Sequence, residues 1–206
     1  LHQSGVCRST YAIELMPEAA DAYRANFPAA RVLREDCNDV LRAMLDGRAR
    51  SASGQPVPRP GEIGLLCGGP PCQGFSGMNR YSDGHNSSIK RSLLATYLSF
   101  CDLLRPLVFI LENVKGMVQR SRLVPRLCAR ALLGMGYNVR MAILQAAHYG
   151  VPQARPRLFI VATAPGIPLP EFPQQQHTFL QSLASTSMYL QPRLKVGDGD
   201  EWRVLA

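Results

Sequence analysis

The chain is organised around Leu65-Leu66-Cys67-Gly68-Gly69-Pro70-Pro71-Cys72-Gln73-Gly74-Phe75-Ser76. An apolar run from Ile63 to Cys67 stops at paired glycines and paired prolines, and a second cysteine follows at once. The pattern predicts a buried strand ending in a sharp turn that holds the Cys72 thiol at the carboxyl edge of a sheet. Open α/β sheets bind ligands at that edge. Pro70 and Pro71 each fix a φ angle just ahead of Cys72, which leaves the thiol little freedom. Gly68, Gly69 and Gly74 let another molecule come close to the backbone.

Upstream of this stretch, Ser9 to Leu15 predicts a short strand ending at Glu14. A carboxylate there can accept hydrogen bonds from ribose hydroxyls, or simply precede a helix N-terminus. Pro17 suits the first position of a helix running to about Asn26, with Ala19, Ala20, Tyr23 and Phe27 on its apolar face. Arg31-Val32-Leu33 predicts the next strand, and Asp36 or Asn38 can cap a helix over Val40 to Leu45. Gly47 to Gly61, rich in Gly, Pro, Ser and Arg, reads as a flexible excursion inside the fold.

Downstream, Gly77 to Lys90 has no periodicity and reads as a mobile active-site loop, where Met78 or Tyr81 could fill a gap in a base stack. Ser92 to Leu104 has helical spacing and stops at Arg105-Pro106. Leu107 to Leu111 reads as a fully buried parallel strand, ending in Glu112-Asn113-Val114. A carboxylate after five apolar residues is costly to bury without a task, and is suited to hold a proton there. Leu123 to Gly136 predicts an amphipathic helix and Tyr137 to Leu144 a strand. Arg155 and Arg157, two apart at the start of a strand over Leu158 to Ala162, should point to one side and clamp an anionic or carbonyl group. Gln174 to Ala206 shows no clear pattern.

The 206 residues carry a net charge of +8, almost wholly from arginine, since only Lys90, Lys115 and Lys195 are lysines. Arginine favours bidentate contact with phosphate, although a basic solvated face has the same composition. The cysteines lack metal-ligand spacing, which argues for free thiols in a reducing compartment and against a metal. No apolar run is long enough to span a membrane. With no initiator Met, and Leu1 beginning mid-element, the chain is expected to be a fragment.

Gly-Pro-Pro-Cys-Gln-Gly-Phe-Ser is similar to the nucleophile motif of the DNA cytosine-5 methyltransferases, and the flanking Leu66-Cys67-Gly68 and Gly77-Met78-Asn79-Arg80 look most like the eukaryotic maintenance branch. Ala12-Ile13-Glu14 and Glu35-Asp36-Cys37 match the family's second and third motifs, Glu112-Asn113-Val114 the motif that grips the target base, and Gln153 to Arg157 resembles the eighth. At the middle of that eighth motif stands Pro156, where the family often has a charged residue.

The resemblance implies a Rossmann-like, S-adenosylmethionine-dependent α/β sheet with helices on both faces, lacking its first, Gly-rich strand. Residues 1–173 would form a partial catalytic domain, and 174–206 the start of an incomplete target-recognition region or an irregular tail. Implied roles are Cys72 as nucleophile toward carbon 6 of cytosine, Glu112 at N3, and Arg155 and Arg157 at the base and its phosphate. Glu14, Leu15, Asp36, Cys37 and Pro70 would line the S-adenosylmethionine site. The implied partner is double-stranded DNA with a flipped cytosine, in the nucleus, and the isolated chain is expected to have little activity. Two alternatives are a tRNA cytosine-5 methyltransferase, which shares Pro-Pro-Cys-Gln and Glu-Asn-Val, and a non-catalytic regulatory remnant. A zinc deaminase is disfavoured, because Cys72 lacks a second cysteine three residues on and a His-x-Glu partner.

Overall fold

The computed structural model describes residues 5–71, 84–120 and 123–177, and strands at 188–190, 193–195 and 202–204; for 84–92, 120 and those last strands it describes the backbone alone. Cys72, Met78 and Tyr81 lie outside the described residues. The chain divides into two compact units, Leu1–Leu65 with Ala95–Pro106, and Leu66–Leu94 with Leu107–Ala206.

In the first unit, β1 (Tyr11–Ile13) and β2 (Arg31–Leu33) pair in parallel, Tyr11 opposite Arg31 and Ile13 opposite Leu33. Parallel neighbours need a crossover, and α1 (Pro17–Asn26) supplies it, with Pro17 in its first turn as the sequence predicts. Only Ala20 of α1 is buried, so its core-facing stripe is narrower than the expected set; the Tyr23 and Phe27 rings pack at a tilt of 46°, 4.7 Å between centroids. Helix α2 (Cys37–Leu45) starts at the Asp36 cap and buries Val40, Ala43 and Met44. Phe100, Cys101 and Leu104, at the end of helix α3 (Gly84–Leu104), are buried as well. Thr96 of α3 donates to Asn38 Oδ1 at 2.6 Å.

The stretch from Gly47 to Gly61 is a built loop and not a flexible excursion. Residues Ala49 and Arg50 run beside Pro56 and Val57, with Ser51 N donating to Gln55 O at 2.8 Å and Val57 N to Ala49 O at 3.2 Å. Val57 is 5% exposed and Ser51 7%. The physical reason is Glu35. Its carboxylate accepts from Ser51 Oγ at 2.5 Å, from the Ala52 and Ser53 amides at 3.1 Å each, and from Ser53 Oγ. Burial pushes the Glu35 carboxyl up, but the bonds from Ser51, Ser53 and Ala52 outweigh it and hold the group below its ordinary value of 4.5. A depressed carboxylate contributes stability that is present above the unfolded-state pKa and lost as pH falls through the folded one. Glu35→Gln is therefore expected to lower stability by about 1 kcal/mol at pH 7 and to flatten the acid limb below pH ~4.5. Urea unfolding between pH 3 and 7 checks this; an unchanged acid limb would remove Glu35 as the anchor.

In the second unit a five-stranded sheet has the order β3-β4-β6-β5-β7. Its members are β3 (Leu65–Gly68), β4 (Val108–Val114), β5 (Asn138–Gln145), β6 (Pro156–Thr163) and β7 (Met188–Leu190). Strand β6 is antiparallel to both β4 and β5. Helices α4 (Gly116–Arg120) and α5 (Leu123–Gly134) link β4 to β5. The turn after α5 closes at Gly136, whose φ of +93° suits glycine.

Three expectations are corrected here. Strand β3 is not buried: it stands at the end of the strand order, Cys67 is exposed and its neighbours are half-buried. Strand β4 is not fully buried. It lies antiparallel to β6 and alternates, with Phe109, Leu111 and Asn113 buried and Ile110, Glu112 and Val114 partly open, because only one face is covered completely. Residues 84–91 are helical, extending α3 into the segment read as a loop. Among the described residues after 177, β7 pairs with β5, and β8 (Arg193–Lys195) pairs with β9 (Trp202–Val204). The cysteines among the described residues are all free thiols.

Candidate active site

Strand alternation puts Glu112 on the partly open face of β4. Its directly opposed residue on β6 is Phe159, and Arg157 sits opposite Val114. Glu112 and Arg157 are thus diagonal neighbours on one face, within reach of long side chains. Arg157 Nε lies 2.8 Å from Glu112 Oε1, with side chains 23% and 38% exposed respectively. Glu112 is therefore not the buried carboxylate the sequence predicts, since it keeps solvent contact. An ion pair this open is worth at most about 1 kcal/mol, so the fold does not depend on it.

Beside this pair runs the backbone that leads to Cys72. A Cβ at Gly69 would stand 3.1 Å from Glu112 Oε2 and 3.5 Å from the Glu112 carbonyl oxygen. Asn113, 4% exposed, donates from Nδ2 to the Pro70 carbonyl at 3.1 Å and accepts from Val114 N at Oδ1, 2.8 Å. The tips of β3 and β4 are therefore joined two residues ahead of Cys72. Gly69→Ala is expected to push the Glu112 carboxylate away from Arg157 with little loss of fold, since a 3.1 Å contact obliges the neighbour to give. A crystal structure and thermal melting of the variant test this; an unmoved Glu112–Arg157 pair would show that the contact is absorbed without consequence.

Arg155 falls outside this cluster. Strand β6 begins only at Pro156, so the period-two argument does not reach Arg155, which is exposed in the preceding turn. Its amide donates to Gln153 O at 2.9 Å and its carbonyl accepts from Ala146 N at 3.2 Å.

The first unit carries a second constellation at the carboxyl edge of β1 and β2. Glu14 follows β1, and its Oε1 accepts from Met16 N at 2.9 Å. Asp36 caps α2 through Oδ1, which accepts both Asn38 N and Asn38 Nδ2 at 2.8 Å. Each carboxylate thus spends one oxygen on local structure. Leu15 and Met16 are 59% and 58% exposed, an apolar surface beside these acids. Burial, and then the Asp36 charge, push the Cys37 thiol up, which keeps it protonated near neutral pH and unsuited to nucleophilic work.

The sequence pattern of the C-5 cytosine-specific DNA methylases matches residues 1–198. The chain belongs to that family. Curated relatives include the DNA (cytosine-5)-methyltransferase PliMCI of Paracentrotus lividus, 46% identical over 202 residues, which are 98% of this chain and 12% of the relative. DNA (cytosine-5)-methyltransferase 1 of Gallus gallus is 46% identical over 179 residues, 86% of this chain and 12% of that protein. This methylase chain thus spans about an eighth of the length of those relatives. Among solved structures, a Spodoptera frugiperda DNMT2 mutant superposes with a TM-score of 0.56 at 21% identity, over 85% of this chain and 48% of that one. Schizosaccharomyces pombe Dnmt2 gives 0.52 at 22% identity, over 75% and 41%. Those likenesses establish a shared fold.

Two residues of the methylase cluster escape sequence reasoning: Gly69 as the close approach to Glu112, and Asn113 as the tie to Pro70. A signal exists for Asn113, which shares the parity of Phe109 and Leu111 and so falls on the buried face of β4. Its partner could not be named without knowing that β3 and β4 are neighbours.

Proposed function

We propose that this chain is the part of a methyltransferase that carries a cytosine of duplex DNA through methylation at carbon 5, with residues 1–173 as catalytic region and the nucleus as site of action. The observation that carries the reading is the join of Gly69-Pro70 to Glu112, Asn113 and Arg157, two residues before Cys72, in a chain of this family.

Carbon 5 of cytosine is a poor nucleophile. Addition of the Cys72 thiolate to carbon 6 makes the ring an enamine and carbon 5 electron-rich. Glu112 holds a proton at N3 as charge develops on the ring. Arg157 orients the Glu112 carboxylate, and Arg155, being exposed, is available to a phosphate. Extruding the base costs a few kcal/mol, which phosphate contacts along a basic surface help to offset.

The carboxyl edge of β1 and β2 fits S-adenosylmethionine. Glu14 and Asp36 each direct one oxygen to a local bond and retain the other for ribose hydroxyls and the adenine amino group, while Leu15 offers an apolar surface and the Cys37 amide opens α2. When bound, S-adenosylmethionine supplies an electrophilic methyl on a sulfonium centre.

The test is a hybrid in which this chain replaces the matching segment of the sea-urchin relative, assayed for tritiated methyl transfer to duplex DNA and to tRNA. Transfer to DNA is expected. Transfer to tRNA alone would overturn the substrate, and transfer to neither by a folded hybrid would favour a non-catalytic remnant.

A further inference from the structure

The loop over Gly47 to Gly61 carries a feature that methyl transfer does not use. Ser53 stands at its exposed tip, with Arg50 three residues and Arg48 five residues ahead. No other serine or threonine of the chain has arginine at both positions. Both guanidiniums lie at the surface: Arg48 pairs with Asp46 at 2.9 Å with half its side chain exposed, and Arg50 Nη1 donates to Gly54 O at 2.6 Å. Ser51, by contrast, is 7% exposed and its hydroxyl is enclosed beside Glu35.

We propose that Ser53 is a phosphorylation site for a protein kinase that reads arginines three and five residues before its target, and that the phosphate releases this loop from Glu35. The Ser53 hydroxyl oxygen bonds to the γ-phosphorus of ATP, the bond from that phosphorus to the β–γ bridging oxygen breaks, and ADP leaves with the electron pair. The hydroxyl proton passes to the kinase's catalytic carboxylate. The product cannot keep the native arrangement. Ser53 Oγ now donates to Glu35 Oε1, and the Ser53 and Ala52 amides donate to the same carboxylate. Phosphorylation removes the donor proton and sets a charge of about −1.5 to −2 against an ionised carboxylate, an arrangement that repels. Because the Glu35 bonds order the loop tip, their loss frees it. Glu35 directly precedes the Asp36 cap of α2, so the released segment adjoins the carboxylate assigned above to the cofactor.

The experiment treats the intact chain with an arginine-directed kinase and ATP, maps phosphate by fragment mass spectrometry, and follows hydrogen exchange at Ala52 and Ser53. Phosphate is expected on Ser53 in preference to Ser51, with labelling lowered about tenfold in both Arg48→Ala and Arg50→Ala. The Arg48 variant leaves the Arg50–Gly54 bond intact, so it separates recognition from loop damage. In the phosphorylated chain the two amides should exchange about tenfold faster, as they should in Glu35→Gln. Absence of phosphate on Ser53, or equal labelling of Ser51, overturns the site. Unchanged exchange, or slower exchange through capture of the phosphate by Arg48 or Arg50, overturns the release.

Discussion

Cys72→Ala in the hybrid enzyme is expected to abolish covalent capture of duplex DNA containing 5-fluorocytosine and to lower methyl transfer by about 10⁴-fold or more. The expectation follows from what the thiolate alone supplies. Without addition at carbon 6 the ring has no enamine character, and positioning the base cannot replace a missing bond. Fluorine at carbon 5 cannot leave as a proton does, so in the presence of S-adenosylmethionine the bond from Cys72 to carbon 6 persists and survives denaturing electrophoresis. Cys67, five residues earlier, and Cys37 are the control thiols, and the adduct should survive alanine at either position. An adduct that persists in Cys72→Ala, or one lost equally in Cys67→Ala, would sink the assignment of the nucleophile.

The second large effect belongs to Glu112. Glu112→Gln keeps the size of the side chain and a possible hydrogen bond to Arg157, but it cannot hold and return a proton at N3. A fall in kcat/KM of about 10²- to 10³-fold is expected, the range of a single acid–base group. Arg157→Ala leaves the carboxylate in place and removes only its partner 2.8 Å away, so about a tenfold loss is expected. Neither variant should unfold the chain, since the pair is partly open to solvent and contributes at most about 1 kcal/mol. Thermal melting of both variants beside the kinetics separates the roles. If Glu112→Gln retains full rate while Arg157→Ala does not, the carboxylate only holds the arginine, and the proton-holding role is wrong.

These two predictions differ in where their grounds lie. The Cys72 reading rests on a local signal: paired glycines, paired prolines and a cysteine at the end of an apolar run act on their own backbone. The same is true of Pro17 at the start of α1 and of the Asp36 cap of α2, whose bonds reach only two residues along. Glu35 was a different matter. Its partners lie sixteen to eighteen residues away, and without them Gly47 to Gly61 reads as a Gly- and Ser-rich excursion. The Arg155 and Arg157 reading went half astray for a related reason. Alternation holds only inside a strand, and pairing with β4 and β5, not composition, sets where β6 begins.

The amino-acid sequence by itself determined the element order around Cys72, the family, and the candidate groups at 14, 36, 72, 112 and 157, because each is encoded in contiguous residues. It took the folded chain to reveal the antiparallel course of β6 beside β4, which sets Arg157 against Glu112, and the contacts that bring Gly69 to Glu112 and Asn113 to Pro70. Strand partners are chosen by burial summed over the whole sheet, and no short window of sequence contains that sum.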